Sequence, residues 1–281
     1  YMIVMRPPAS QSDVYDFKKY TDNVHVERNT EDEKEDSSLV IKCLKLKALL
    51  SLLENKFYNK QGIIFCRTNV DCNNTEALLK ARNLDCVVLA GKRNRDERRI
   101  NLKDFKEGNK QYLISTDLGA RGIDVSHLHF MINMTLPDNV ETFIHRIGRV
   151  GRKSDTGIAI SEVQEKVWYH TCKTKGLDCE RRHLKSKGGC TIWYDEMTLK
   201  SAYEATLRKE LRSIEMKEVH KIGIDSVNDK NSPIAEKDLK FFEYLQEIEK
   251  KTQYQYWAIR MGALCLAAAR YLREHLDENL L

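Results

Sequence analysis

The apolar positions follow two different periods. Over residues 39–57 they make a helical stripe, with Leu39, Leu46, Leu49, Leu50 and Leu53 recurring on one face, and Ser37 and Ser38 stand where an N-cap belongs. Beyond that helix, short unbroken apolar runs alternate with amphipathic stretches. Residues 62–66 (GIIFC), 86–89 (CVVL), 112–115 (YLIS), 130–134 (FMINM) and 157–161 (GIAIS) predict strands. Residues 70–82, 96–105, 140–147 and 165–173 predict helices. Strands that are continuously apolar are buried on both faces, so the pattern predicts an α/β fold: a parallel sheet with helices on both faces. Functional residues of such sheets sit on loops at the carboxyl ends of the strands.

The flanks read differently. Residues 2–5 predict a short strand, and a polar stretch ending in Glu31, Asp32, Glu33, Glu35 and Asp36 reads as a mobile acidic linker over the rest of 1–38. The sheet domain runs over 39–196, with an extra strand near 190–194 after the Gly188-Gly189 turn. Residues 197–281 read as a helical C-terminal extension, with helices near 197–217, 235–252 and 254–276. Its aromatic residues Tyr254, Tyr256 and Trp257 fit a core or a base-stacking surface, and a protein partner is a further use for these helices.

Composition narrows the function classes. With 41% hydrophobic and 32% charged residues, the chain is globular and not disordered. Its longest nearly unbroken apolar run, 261–269, is well short of the ~20 residues that cross a bilayer, so a membrane role is not expected. The chain opens on Tyr1 and not on Met, and is expected to be a piece of a longer protein. Charge is uneven: residues 1–38 carry 5 basic and 9 acidic side chains, residues 39–199 carry 28 and 19, and residues 200–281 carry 14 of each. A polyanion partner and a plain solvated surface both account for the basic middle. Cys66 and Cys86 lie in buried-strand patterns and read as core thiols of a reducing compartment. His170, Cys172, Cys179, His183 and Cys190 cluster, and His170, Cys172, Cys179 and Cys190 could supply a tetrahedral zinc site. Their spacing matches no standard zinc knuckle, so ordinary core and loop thiols stand as the alternative.

Two motifs carry the chemistry. In the run from His145 to Arg152 (HRIGRVGR), Arg146, Arg149 and Arg152 are interleaved with Gly148 and Gly151. Glycine weakens a helix by ~1 kcal/mol and close like charges repel, so a purely structural helix has no use for this pattern. Backbone that must approach a phosphate, with planar guanidinium groups to grip it, does; a basic surface turn is the plain alternative. The run from Ser115 to Asp124 (STDLGARGID) follows a predicted strand and places a hydroxyl, two carboxylates, Arg121 and two glycines on one loop.

In this order and on this pattern, the two motifs resemble the second, RecA-like lobe of the DEAD-box RNA helicases. Residues 63–68 (IIFCRT) look like motif IV of that family, residues 90–98 like its motif IVa region, and residues 130–137 (FMINMTLP) like the strand before motif VI. Residues 165–170 (EKVWYH) and 188–197 (GGCTIWYDEM) are similar to the SPRY-containing branch of the family. The resemblance implies arginine fingers at Arg149 and Arg152, and nucleotide contacts at Asp124 and Gly122. It implies RNA-backbone contacts at Arg67, Thr68, Arg93, Arg98 and Thr116, and coupling to the other lobe through His145, Arg146 and Arg121. The family usually has His-Gly-Asp where Ala90-Gly91-Lys92 stand, and glutamine where Arg95 stands.

The phosphate-cradling G-x-x-x-x-G-K-[ST] loop, Asp-Glu-Ala-Asp and Ser-Ala-Thr are missing from these residues. The chain is therefore expected to supply half of an ATPase site, with ATP and Mg2+ both needing an N-terminal RecA-like lobe. Alone it should hydrolyse nothing. The expected function is ATP-driven RNA remodelling in the nucleus or cytoplasm; the alternative is an RNA-binding or assembly module on a helicase fold without ATPase output.

Overall fold

The computed structural model describes residues 1–5, 12–21, 33–90, 93–123, 125, 128–150, 157–165, 168–169 and 193–215. The strands β1 (Met2–Met5), β2 (Gly62–Phe65), β3 (Cys86–Leu89), β4 (Tyr112–Ser115), β5 (Phe130–Asn133), β6 (Ile158–Gln164) and β9 (Ser213–Glu215) form one sheet. Its order is β3-β4-β2-β5-β6-β1-β9, and every pairing is parallel. The helices are α1 (Glu33–Asn55), α2 (Asn69–Ala81), α3 (Arg95–Lys106), α4 (Asp117–Ala120), α5 (Val140–Ile147) and α6 (Glu196–Leu207). Residues of opposite parity on the strands are alike buried: Ile64, Val88 and Ile114 join the leucines of α1 in one core, and Ile63, Val87 and Leu113 are equally enclosed. This is the two-sided burial that continuous apolar strands require.

Four elements differ from the sequence reading. The leader is not all linker: Ser12–Tyr20 forms a 3-10 helix packed on α1, with Phe17 buried in the core. Helix α1 begins at Glu33, so Ser37 and Ser38 lie within it and not at its cap. In place of a helix over 165–173, β7 (Trp168–Tyr169) pairs antiparallel with β8 (Trp193–Tyr194), placing Trp168 opposite Tyr194. Aromatic residues suit such a ladder better than a helix. The helix expected over 197–217 stops at Leu207, where Arg208 takes the left-handed conformation (φ 51°), and the chain returns as β9 beside β1. The helices expected near 235–252 and 254–276 lie outside the described residues.

A buried ion pair fastens α6 to this sheet. Lys45, 3% exposed on α1, donates from Nζ to both carboxylate oxygens of Glu196 (3.0 and 2.9 Å) and to the carbonyls of Met134 (2.9 Å) and Glu162 (2.8 Å). Glu196 in turn accepts from the backbone N–H of Leu136 (3.2 Å) and Gln164 (2.9 Å). Beside it Glu162 is fully buried, and among the described residues its carboxyl oxygens have no hydrogen-bond partner. Burial pushes its pKa well above the usual carboxylate range, against the pull of Lys45 and with the push of Glu196.

Candidate functional site

The site is built by three loops at the carboxyl ends of β2, β4 and β5. After β2 come Arg67 and Thr68. Thr68 caps α2 in a reciprocal box: its hydroxyl accepts from the Asp71 N–H (3.2 Å), and the Asp71 carboxylate accepts from the Thr68 N–H (2.9 Å). After β4, Thr116 caps the short α4 by accepting from the Gly119 N–H (3.2 Å). Gly119 sits where a Cβ would lie 1.9 Å from the Leu89 carbonyl oxygen, so only glycine lets this turn pack on β3. Gly122 then reverses the chain at φ +72°, a conformation glycine adopts without strain. After β5, Asn139 caps α5 by accepting from the Thr142 N–H (2.8 Å).

Arg146 of α5 ties the three loops together. Its Nε and Nη2 donate to the two carboxylate oxygens of Asp117 (2.6 and 2.7 Å), and Nη1 donates to Asn133 Oδ1 (2.8 Å) and the Thr135 carbonyl (3.1 Å). The guanidinium lies 4.8 Å from the centre of the Phe65 ring of β2, and the residue is 3% exposed. A buried arginine with this many acceptors fixes the relative position of the loops that surround it. Three residues on, Arg149 Nη1 donates to the carbonyl of Ile123 (2.7 Å), linking the motif after α5 to the loop after β4.

Arg67, Thr68, Thr116 and Arg121 line one open groove, together with Asn69, Asp117, Leu118, Pro137, Asp138, Asn139 and Thr142. Arg67 donates from Nη1 and Nη2 to the two oxygens of Asp138, both at 2.6 Å, and its guanidinium lies 5.0 Å from the centre of the Tyr194 ring. Burial works against the charge on Arg67, and the hydrogen bonds with Asp138 together with the electrostatic pull of Tyr194, Asp138 and Asp117 more than offset it, so its pKa lies above the ordinary value. Arg98 reaches the same loop from α3, donating from Nη2 to the Gly119 carbonyl (3.3 Å). Arg93 is placed elsewhere: it bridges Glu76 of α2 and Glu97 of α3 and also reaches Asn73. His145 is half-buried on α5.

Asp124 and Arg152 lie outside the described residues, as do the zinc candidates His170, Cys172, Cys179 and Cys190. Among the described residues no group of three or more His, Cys, Asp or Glu side chains is placed to hold a metal ion. Sequence reading missed Asp138, which holds Arg67, and put Asp117 on the candidate loop without its partner Arg146. The one signal for Asp138 is its place between Pro137 and the cap Asn139 at a strand-to-helix turn.

Residues 44–154 match the helicase conserved C-terminal domain. The ATP-dependent RNA helicase DDX1 of Xenopus laevis is 42% identical over 211 residues, covering 69% of this chain and 28% of that protein. The ATP-dependent RNA helicase Ddx1 of Drosophila melanogaster is 40% identical over 219 residues, covering 75% and 29%. The chain thus spans less than a third of the length of these curated relatives. Among solved structures, S. cerevisiae Dbp5 bound to RNA and ADP BeF3 superposes with a TM-score of 0.51 at 25% identity, covering 64% of this chain and 41% of that one. With a parallel RecA-like sheet and its motif loops gathered at one end, the chain belongs to the DEAD-box helicase family, as a C-terminal RecA-like lobe of the DDX1-like branch.

Proposed function

We propose that this lobe works with an N-terminal RecA-like lobe in an ATP-dependent RNA helicase, supplying arginine fingers to the nucleotide and backbone contacts to RNA. The observation that carries the reading is the linkage of the motif loops. Arg146 holds the loops after β4 and β5 as one body, and Arg149 is hydrogen-bonded to the loop that also bears Thr116 and Arg121. A ligand that orients one loop therefore biases the other, which is what coupled binding of ATP and RNA needs.

In this reading ATP and RNA are each shared between lobes, so both favour the closed arrangement. Arg149 and Arg152 approach the γ-phosphate on closure and neutralise the charge that grows on its oxygens as water attacks phosphorus and the bond to the β-phosphate oxygen breaks. Asp124 and the Gly122 backbone face the nucleotide. Arg67, Thr68, Arg98 and Thr116 hold RNA phosphates, which makes binding salt-sensitive and weakly dependent on sequence. Release of phosphate reopens the cleft and frees the strand. In this reading Mg2+ is held by the first lobe; the described carboxylates Asp117 and Asp138 are each engaged by an arginine.

The test is RNA-stimulated ATP hydrolysis by the full-length protein beside its Arg149→Ala variant. The expected result is stimulation by RNA and its loss by about a hundredfold or more in the variant, on the scale known for arginine fingers. Absence of stimulation in the wild type, or an equally active variant, sinks the reading and leaves an RNA-binding module on a helicase fold.

A further inference from the structure

The groove assigned above to RNA phosphates already contains an anion. Asp138 presents its two carboxylate oxygens to the two terminal nitrogens of Arg67, both at 2.6 Å, the same planar fork through which arginine grips a phosphate. The partners come from neighbouring strands, Arg67 after β2 and Asp138 after β5. Tyr194 lies against the guanidinium, so the arginine is held at the groove from one side by an aromatic ring and from another by the carboxylate. The Asp138 side chain is 64% exposed and that of Arg67 22%, so solvent and ligand both have access to the pair.

We infer that Asp138 is an internal stand-in for an RNA phosphate: it occupies Arg67 in the RNA-free lobe and must give the guanidinium up when the strand docks. This rests on the reading of the groove as an RNA site. Two physical effects act in the same direction. The carboxylate competes for the same nitrogens, and it repels any phosphate nearby. An exposed ion pair is weak, so the exchange is cheap enough to occur in each binding cycle. The freed Asp138 carboxylate stays beside the phosphate in the wild type and offsets part of the charge that Arg67 brings. Asp138 thereby lowers the affinity of the groove and favours release of the strand.

A purely structural role for the pair predicts the opposite sign. If Asp138 only fixed the loop after β5, removing its charge would loosen the groove and weaken RNA binding. The experiment uses the full-length protein with a non-hydrolysable ATP analogue and a labelled oligouridylate, titrated over a series of salt concentrations. Asp138→Asn is expected to tighten binding by about two- to fivefold, the range an exposed ion pair is worth. It also steepens the dependence of log K on log salt, by less than the ~0.7 of a whole single-strand phosphate contact, because Arg67 meets the phosphate in both proteins. Asp138→Ser gives the same gain, and the gain shrinks in an Arg67→Ala background. Weaker binding, unchanged affinity and slope, or an undiminished gain without Arg67 overturns the inference alone. Failure of wild type and variants alike to bind RNA overturns the RNA reading with it.

Discussion

Replacing Lys45 with methionine tests whether the α1–α6 fastening is an integral part of the fold. The ammonium is 3% exposed and is shared among two Glu196 oxygens and two backbone carbonyls. Its removal takes the ammonium away from the Glu196 carboxylate, 0% exposed, which keeps the N–H groups of Leu136 and Gln164. Breaking one side of a buried pair costs about 3–5 kcal/mol, a large part of the roughly 5–15 kcal/mol that holds a domain together. Replacing both partners with apolar groups is often neutral, because charge and desolvation disappear together. Here Lys45→Met with Glu196→Leu should instead stay about 2–4 kcal/mol below wild type, because the Met134 and Glu162 carbonyls and the Leu136 and Gln164 N–H groups each lose a partner at about 1 kcal/mol. Urea unfolding followed by circular dichroism reads both values as midpoint shifts at unchanged slope. A single variant that loses less than about 1 kcal/mol, or a double variant as stable as the wild type, refutes the reasoning.

Two other changes probe the loop after β4 and the buried carboxyl. Gly119→Ala puts a methyl group 1.9 Å from the Leu89 carbonyl oxygen and 2.7 Å from Ser115 Oγ, so α4 must lift off β3. Thermal unfolding should show a loss of about 1–3 kcal/mol together with weaker RNA binding, and a variant normal in both defeats the account. Glu162 keeps its proton in the folded protein at pH values where the unfolded carboxyl, near its ordinary 4.5, has lost it. The folded state then binds more protons, so stability falls as pH rises from about 4.5 toward the raised native value. Melting temperatures from about pH 5 to about pH 8 should decline less steeply in Glu162→Gln, and equal slopes in the two proteins contradict the assignment.

The strands β2 to β5 were legible as unbroken apolar runs because burial on both faces leaves a strong local signal. Trp168–Tyr169 was not, since its partner Trp193–Tyr194 lies more than twenty residues away and pairing at that distance leaves no local period. Nor did Arg208 announce the end of α6; the helix turns off at a left-handed residue that is neither Gly nor Asn. The functional motifs were visible as residue types, but their engagements were not. Nothing near Arg146 or Arg93 indicates that one is clamped by Asp117 and the other by Glu76 across the fold; only Glu97, four residues after Arg93, is a local partner. Lys45 carries no sign of its burial in the sequence, although it is as buried as the leucines of the same helix.

The place of β1 has a consequence for synthesis. Met2–Met5 is made before every other strand of this sheet, yet its two neighbours are Ile158–Gln164 and Ser213–Glu215. An apolar segment with its backbone groups unpaired must therefore wait until nearly the last described strand leaves the ribosome. Such long-range closure raises contact order and slows folding. During that interval the segment and the open side of β6 are complementary sticky edges, in one nascent chain or between two. Folding of this lobe thus has a window for strand exchange between molecules, which closes when β9 seals the sheet.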